Sequence, residues 1–430
     1  MQRVTVREYA RLTTAKVEVS LDQATVSTSA FDWLCSESGR MRKSGAALVQ
    51  FEGRCDLRLD NYVGVVETPC GTQIEILPKH VDGSSEGEVA AARRVLRRML
   101  TSCLNLKSRE TGPTDIQAFD APLTEWVMRQ FLEALDHLVK RGIRFDYHAV
   151  KEEQRYLRGR LDVTRQLRQP PGQQHLFQIE HDVFDADRPE NRLLRSALER
   201  VCRMTRDARN WRLSHELTAY LSPIPPSSDV TTNLGRWRDD RLMAHYRPVR
   251  PWCSLILNEQ SPLSIVGAWH GISLLFPMER LFERYVEVYL RRTLPADVRL
   301  TPTASSKYLC VHQGQDWFQL KPDFLLQQGN IRWVLDTKWK RLDTSLSSSR
   351  DKYGLSQADF YQLLAYGRHY LNGKGDLFLV YPMTATFSKS LPIFSYSDDL
   401  RLWVIPFDLD AEALVGAEQT SMPVYPKRAA

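Results

Sequence analysis

Two aspartates and a lysine near the C-terminal end of the sequence have the types and spacing of a metal-dependent hydrolytic site. Asp323, Asp336 and Lys338 lie in the stretch LKPDFLLQQGNIRWVLDTKWK, in which two apolar runs flank the dipeptide Gly329-Asn330. A short connection that contains glycine, between two such runs, is typical of a β-hairpin. Pairing counted outward from this loop places Asp323 directly opposite Asp336.

The predicted hairpin brings these three side chains to one face of a sheet. Directly opposed residues have Cβ atoms about 4.5–5.5 Å apart, so the carboxylates of Asp323 and Asp336 can hold one cation. Lys338 projects from the same face because it follows Asp336 by two positions. Without a cation, the two carboxylates would repel and raise each other's pKa.

Hydrolysis of a phosphodiester is the chemistry that such a set could perform. Oxygen ligands that leave positions for water and a phosphate suit Mg²⁺, and Mn²⁺ can substitute for it. The metal would polarise the phosphate and lower the pKa of an attacking water. Lys338 would orient that water or stabilise charge on the phosphate oxygens. We therefore expect Asp323 and Asp336 to be metal ligands, and all three residues to be catalytic.

An ordinary structural interpretation fits the same two short motifs equally well. P-D and D-x-K are common in unrelated proteins. Asp323 can be a carboxylate at a strand end, and Asp336 with Lys338 can form a surface ion pair on an edge strand. The predicted hairpin register favours the catalytic interpretation because it brings the three groups together.

A glutamate on the helix predicted before the hairpin is a fourth candidate. Glu283 lies midway along the amphipathic helix predicted over residues 277–293. It also belongs, with Glu279 and Glu287, to a run at helical spacing that is typical of an exposed acidic stripe. Both interpretations of Glu283 stay open at this point.

A glutamine and a tyrosine on the helix predicted after the hairpin complete the set. Gln362 and Tyr366 are four residues apart in the helix predicted over 357–372, so they share one face. The two residues also fit an ordinary amphipathic helix. A buried glutamine needs hydrogen-bond partners, however, and a metal-bound water or a DNA phosphate would supply one. We expect Gln362 to be catalytic and Tyr366 to support it.

The order of predicted elements places these candidates in a C-terminal α/β segment. Further strands are predicted over residues 376–382 and 401–406, whereas residues 1–80 carry short β-type runs and a helix is predicted over 122–141. This order indicates an α+β, multidomain protein. The predicted domains are a β-rich N-terminal region over 1–120, a mixed, mostly helical region over 121–262 and a C-terminal domain over 263–430.

The composition is that of a water-soluble globular protein. The chain has 430 residues, of which 43% are hydrophobic and 26% are charged. The net charge of +6 permits a phosphate-rich partner without requiring one. The seven cysteines are scattered singly, which favours a reducing compartment over a disulfide framework or a zinc site. With no apolar run of signal-peptide or membrane-spanning length, we expect a cytoplasmic protein without membrane contact.

The chain resembles a family of nucleases along most of its length. The helix glutamate, P-D, D-x-K and Q-x-x-x-Y are similar to the PD-(D/E)xK superfamily, in the branch where RecB-type nucleases carry the glutamine and tyrosine. Within it, the chain closely resembles the McrC family, the nuclease subunit of McrBC-type modification-dependent restriction systems. The resembling stretches are GVVETPCGTQIEILPKH (64–80), YLRGRLDV (156–163), DADRPENRLLRSAL (185–198), MERLFERYV (278–286), LKPDF (320–324), LDTKWK (335–340), DFYQLLAYGRHY (359–370) and LVYP (379–382).

The resemblance implies a restriction-endonuclease-like α/β/α core and a Mg²⁺-dependent endodeoxyribonuclease. Asp323, Asp336 and Lys338 match the nuclease motif of the family, and Glu283 and Gln362 match its flanking helices. McrC-like proteins act with McrB, a hexameric AAA+ GTPase that recognises modified double-stranded DNA, commonly at 5-methylcytosine. The N-terminal region of McrC-like proteins inserts into the McrB ring and stimulates GTP hydrolysis.

The GTPase itself is not expected on this chain. The sequence contains no G-x-x-x-x-G-K-[ST] loop, so we expect no GTP site here and a partner that supplies the motor. The first hundred residues resemble the family only in places, and Asp336 is the allowed aspartate variant of its motif. Two other functions remain open, a stand-alone RecB-like nuclease in DNA repair and a non-catalytic activator of an NTPase ring.

Overall fold

The computed structural model is a mixed α+β protein with two compact units, and this level of the fold prediction is confirmed. One unit combines Met1–Leu123 with Pro262–Ala430, and the other is Thr124–Ser261. The predicted domain boundaries at 120/121 and 262/263 lie outside the described residues. The structure describes residues 2–42, 48–80, 86–104, 123–170, 172–173, 175–257 and 274–424.

The N-terminal part of the first unit contains short strands and two helices. Buried valines and leucines alternate with exposed residues in several of its strands, which gives each sheet one apolar face. The elements in chain order are β1 (Arg3–Arg7), β2 (Arg11–Thr13), β3 (Gln23–Thr25), α1 (Thr28–Arg42), β4 (Val49–Phe51), β5 (Asp56–Leu59), β6 (Tyr62–Glu67), β7 (Gln73–Leu77) and α2 (Glu86–Cys103).

The second unit consists of helices and a small antiparallel sheet. A ring contact between Trp126 and Trp252, with centroids 5.3 Å apart, lies in its core. The sheet has the strand order β8-β10-β9 within the described residues. The elements are α3 (Leu123–Arg141, of which Leu123 falls in the first unit), β8 (Asp146–Gln154), β9 (Arg160–Leu161), α4 (Val163–Leu167), β10 (Phe177–Asp185), α5 (Pro189–Met204), α6 (Ala208–Leu221), α7 (Val230–Gly235) and α8 (Arg250–Ile256).

The C-terminal part of the first unit is built on one mixed sheet. Its strands follow the order β12-β15-β16-β17-β19-β18 in the part of the chain that the structure describes, and β20 pairs with β19. The elements are β11 (Leu274–Pro277), α9 (Met278–Thr293), β12 (Arg299–Pro302), β13 (Lys307–His312), β14 (Gln315–Leu320), β15 (Phe324–Gln328), β16 (Ile331–Thr337), α10 (Gln357–Tyr370), β17 (Gly375–Pro382), β18 (Phe394–Ser395), β19 (Leu400–Asp408) and β20 (Ala413–Leu414).

Helices α9 and α10 pack on opposite faces of this mixed sheet. Leu363 of α10 shares a buried cluster with Val404 of β19. Phe282 of α9 instead contacts Phe407 of the same strand, with ring centroids 6.0 Å apart. Since successive residues of a strand point to opposite faces, Val404 and Phe407 lie on different sides of the sheet. The sheet is therefore the middle of three layers.

A strand pair joins the two sequence-distant parts of the first unit. Strand β11, from the C-terminal part, pairs antiparallel with β6, and Leu275 lies opposite Gly64. Gly64 has a φ of +128°, and a Cβ at this position would lie 1.8 Å from the carbonyl oxygen of Leu274. Only glycine permits this close approach. The ranges 1–120 and 263–430, taken as separate domains from the sequence, thus form one unit.

No helix among the described residues is long and apolar enough to span a membrane.

Candidate metal centre and catalytic site

The hairpin that carries the two aspartates has the predicted register. Phe324 of β15 pairs with Leu335 of β16, and Gln328 pairs with Ile331 next to the loop. Gly329 in this loop has a φ of +57°, which glycine adopts without strain. Asp323 immediately precedes β15, so the same register continued by one residue faces it toward Asp336. The register prediction is therefore confirmed.

Strand β16 lies inside the sheet. It pairs with β15 on one side and runs parallel to β17 on the other, where Asp336 lies opposite Leu379. The side chain of Asp336 is buried, with 1% of its surface exposed. Because Asp336 is buried in a central strand, the alternative of a surface ion pair on an edge strand is wrong. Burial of a carboxylate costs free energy of folding unless the group is paired or has a function.

The carboxylate of Asp323 is held by Thr337, the residue that follows Asp336. Its Oδ2 accepts hydrogen bonds from the backbone N–H and the hydroxyl of Thr337, both at 2.6 Å. Burial raises the pKa of the Asp323 carboxyl, and the two hydrogen bonds from Thr337 oppose this only in part. Thr337 thus fixes one carboxylate oxygen of Asp323 beside the end of β16.

Asp336 and Lys338 form a close pair on the face of β16 that α10 covers. Asp336 Oδ2 lies 2.5 Å from Lys338 Nζ. Apart from this ion pair, the buried oxygen has no hydrogen-bond partner within the described part of the chain. Burial and the neighbouring charge of Asp323 raise the pKa of Asp336 to about 7, although Lys338 opposes this.

Lys338 keeps its positive charge in this environment. Burial is the largest single influence and lowers its pKa. The charge of Asp336 and its hydrogen bond, together with the charges of Asp323 and Asp359, outweigh burial, so the pKa is raised above its ordinary value. Its Nζ also contacts Gln362 Oε1 of α10 at 3.4 Å. The ammonium group is therefore oriented by groups from a strand and from a helix.

Glu283 differs from the other two glutamates of its helical run. Glu279 is exposed, and buried Glu287 is paired with Arg284 and with Arg291, 2.7 Å away. Glu283 is half-buried, and burial together with the charges of Asp323 and Asp336 raises its pKa to about 7. The exposed acidic stripe is therefore not what the structure contains. Glu283 lies within the electrostatic field of the two aspartates.

Gln362 and Tyr366 share one face of α10, but Gln362 is exposed and not buried as expected. Gln362 Nε2 donates to the hydroxyl of Tyr366 at 2.8 Å, and that hydroxyl donates to the carbonyl of Lys321 at 3.0 Å. Tyr366 itself is buried. The partners of Gln362 are thus Lys338 and Tyr366, which orient the amide from both of its ends.

The comparison with known families decides the assignment. The sequence matches the model of the McrBC 5-methylcytosine restriction system component over residues 57–382, which is well over half of the chain. The chain belongs to the McrBC family. The resemblance to its McrC members that the motifs indicate is confirmed. No curated protein matches the sequence significantly.

Two solved structures share the fold of this McrBC-family chain. The first is the refined half-complex from a tetradecameric assembly of Thermococcus gammatolerans McrB AAA+ hexamers with bound McrC. Its matching chain has 20% identity and a TM-score of 0.72, with 95% of each chain covered. The second is the cryo-EM structure of the Thermococcus gammatolerans McrBC complex, with 22% identity, a TM-score of 0.52, and 68% of this chain and 88% of that chain covered.

One acidic residue of the site was not recognised in the sequence. Asp359 is buried on α10, three residues before Gln362, and its Oδ2 lies 3.5 Å from Lys340 Nζ and from the Tyr381 hydroxyl. Its charge contributes to the raised pKa of Asp336. The spacing of Asp359 and Gln362 along the helix was the available signal, since residues three apart share a face.

The donor set fits a cation that the protein binds through few ligands. No group of three or more histidine, cysteine, aspartate or glutamate side chains in the described residues is arranged to hold a metal ion by itself. Mg²⁺ commonly takes one or two carboxylates and completes its octahedral shell with water and phosphate oxygens. Asp323 and Asp336 meet this requirement, and the buried Asp336 Oδ2, which has no partner except the Lys338 ammonium group within the described residues, could also face a metal ion.

Proposed function

We propose that this chain is the Mg²⁺-dependent endonuclease subunit of a modification-dependent DNA restriction complex, with a PD-(D/E)xK core. The supporting observation is the buried pair of Asp336 and Lys338, 2.5 Å apart, beside Asp323. A buried carboxylate that is held against a second carboxylate is costly in a purely structural role, whereas a metal-dependent site requires it.

Asp323 and Asp336 are the proposed ligands of Mg²⁺, for which Mn²⁺ can substitute. When bound, the metal supplies Lewis-acid stabilisation of the scissile phosphate and a lowered pKa for the attacking water. Thr337 orients Asp323 for this role through its two hydrogen bonds. The nearby Glu283 has a pKa of about 7 and can take up or release a proton near neutral pH.

Lys338 is the proposed electrostatic catalyst. Its ammonium group stays charged beside Asp336 and can stabilise negative charge on a phosphate oxygen. Gln362 contacts this ammonium group, and the Tyr366 hydroxyl fixes the amide of Gln362. We therefore propose that Gln362 and Tyr366 restrict the orientations of Lys338.

The proposed partner is a hexameric McrB-like AAA+ GTPase, and the proposed substrate is modified double-stranded DNA, such as DNA with 5-methylcytosine. The solved structures with this fold contain McrB hexamers with bound McrC or are McrBC complexes. The sequence of this chain lacks the G-x-x-x-x-G-K-[ST] loop that would bind nucleotide phosphates, so the motor belongs to the partner.

The test combines the purified chain with the McrB-like GTPase, GTP and DNA that carries 5-methylcytosine. We expect double-strand cleavage with Mg²⁺ or Mn²⁺ and none with EDTA, and we expect Asp336→Asn to abolish cleavage while GTP turnover stays stimulated. Cleavage by this variant would contradict the proposed site. Stimulated GTP turnover without cleavage by the unmodified chain would identify a non-catalytic activator, and cleavage without the partner would identify a stand-alone nuclease.

A further inference from the structure

The segment that carries Lys338 continues beyond the regular part of strand β16. The strand ends at Thr337, and the backbone N–H of Lys338 still donates to the carbonyl of Val380 at 2.9 Å. The next residue, Trp339, is buried. Its indole Nε1–H donates to Glu8 Oε1 at 2.6 Å, a contact between residues 331 positions apart in the sequence.

Lys338 and Trp339 point to opposite sides of the extended chain. Lys338 contacts Gln362 of α10, whereas Trp339 contacts Phe282 of α9, with ring centroids 5.2 Å apart. Successive side chains of an extended segment point in opposite directions. A contact that fixes the direction of the Trp339 side chain therefore also fixes the direction in which Lys338 leaves the backbone. The indole is thus placed to orient the lysine from behind.

Glu8 is an uncommon residue for this contact. It lies in the turn between β1 and β2 and is 2% exposed. Its backbone N–H donates to the carbonyl of Leu77 at 3.0 Å, and its Oε1 also accepts from the backbone N–H of Lys79 at 2.9 Å. Its Oε2 is buried without a hydrogen-bond partner among the described residues. A neutral acceptor would bind the indole at a lower desolvation cost.

The turn around Glu8 is held in a strained conformation. Tyr9 has a φ of +65°, which is rare for a residue with a side chain. Lys79 Nζ lies 4.3 Å from the centroid of the Tyr9 ring. Strain of this kind persists only where the surrounding contacts fix it, and it is often found near functional sites.

We infer that Glu8 is a positioning residue for Lys338. The carboxylate in the N-terminal segment fixes the indole of Trp339, and the indole fixes the direction of the lysine. The geometry of the cleavage site therefore depends on the position of the turn between β1 and β2. This inference rests on the proposed nuclease function.

The test measures cleavage by the complex with the McrB-like GTPase for Glu8→Ala, Glu8→Gln, Trp339→Phe and the double variant Glu8→Ala/Trp339→Phe. Glu75→Ala is the matched control, because Glu75 is equally buried and pairs with Arg93 at 2.7 Å, away from β16. For each variant, kcat and KM for cleavage, stimulated GTP turnover and the midpoint of thermal unfolding are measured.

Misplacement of Lys338 lowers the rate of the chemical step more than DNA binding. We expect Glu8→Ala and Trp339→Phe each to lower kcat by about 10- to 100-fold, with KM changed less than about threefold. The double variant should lose no more than either single variant, because both remove one contact. Glu8→Gln should keep kcat within about threefold, because its amide oxygen still accepts from the indole.

Three outcomes would overturn the inference while the unmodified complex cleaves DNA. They are an unchanged kcat in Glu8→Ala, a loss of kcat that Glu75→Ala shows equally at the same unfolding midpoint, and additive losses in the double variant. If Glu8→Ala does not fold, Trp339→Phe decides, since it removes the N–H donor and keeps a smaller aromatic ring at this position. No cleavage by the unmodified complex would instead refute the proposed function itself.

Discussion

Two buried aspartates near opposite ends of the same sheet have contrasting surroundings. Asp376, at the beginning of β17, accepts hydrogen bonds from Arg401, Trp403 and Ser421. Asp336, near the end of β16, has the ammonium group of Lys338 beside it and an oxygen without a hydrogen bond among the described residues. Both are buried, so burial does not distinguish a structural carboxylate from a proposed catalytic one. The difference lies in their partners, which are three hydrogen-bond donors for Asp376 and one ammonium group for Asp336 within the described residues.

Substitution of Asp336 should have the largest effect on activity. We expect Asp336→Asn to lower kcat for DNA cleavage by about a thousandfold or more, because a proposed metal ligand is lost. In metal-free buffer the variant should unfold at no lower temperature than the unmodified protein, since its amide removes the repulsion with Asp323, and Asp323 remains as a counter-charge for Lys338. Cleavage kinetics and thermal unfolding of the same samples test both statements. A variant that unfolds early and cleaves normally would make Asp336 a structural residue like Asp376.

Substitution of Asp376 should have the opposite outcome. We expect Asp376→Ala to lower the free energy of unfolding by about 2–3 kcal/mol, because Arg401 and the indole N–H of Trp403 lose their acceptor. The kcat of cleavage should stay within about twofold at a temperature where the variant is folded. Denaturant unfolding and cleavage assays measure the two effects. A large loss of kcat in the folded variant would erase the contrast between the two ends of the sheet.

Glu8 accepts two hydrogen bonds at one carboxylate oxygen, whereas its other oxygen has none among the described residues. Its charge should make stability depend on pH. Burial raises its pKa from 4.5 to about 6, so the ionised form is disfavoured in the folded state. The stability of the unmodified protein relative to Glu8→Gln should therefore fall by about 2 kcal/mol as the pH rises from about 4.5 to 6, and then stay level. Denaturant unfolding of both proteins across this range tests the effect. A difference that does not change with pH would contradict the assigned burial of the charge.

When each effect is expressed as a free energy, that of Gln362 should be the smallest of the four, since a tenfold fall in kcat corresponds to about 1.4 kcal/mol. Gln362→Ala removes the contact with Lys338 and leaves the Asp336 pair intact, so we expect kcat to fall by about tenfold. Gln357→Ala is the control, because Gln357 is exposed on the same helix and contacts Tyr361 and Lys352. Equal rates for the two variants would show that the orientation of Lys338 depends on Asp336 alone.

The sequence predicts the parts of the site that local patterns determine. The alternation of apolar residues around Gly329 was sufficient for the hairpin register, and the helical periodicity around Glu283 and Gln362 for the two flanking helices. The exposure of Gln362 was not predicted, because the expectation assumed that its hydrogen-bond partners lie in the interior. Its partners are instead a lysine and a tyrosine near the surface.

Contacts between distant parts of the chain were not predictable from local patterns. Nothing in the sequence around Trp339 points to Glu8, and nothing around Gly64 points to Leu274, since neither periodicity nor a turn signal specifies a long-range pairing. The hydrogen bonds from Thr337 to Asp323 were likewise not predicted, because the hairpin register brings the residues close without specifying which atoms bond. These contacts join the N-terminal segment to the site or fix the geometry of the ligands.

The pairing of β6 with β11 has a consequence for synthesis of the chain. The sheet with the order β1-β7-β6-β11 receives its edge strand only when Leu274–Pro277 has emerged from the ribosome, after the whole of Thr124–Ser261. Until then the edge of β6 has unpaired backbone groups that can pair with other strands. The segment that carries the proposed site follows immediately. A nascent chain therefore completes its N-terminal sheet only as the residues of the proposed site begin to be made, and a product that ends before Leu274 lacks Asp323, Asp336 and Lys338.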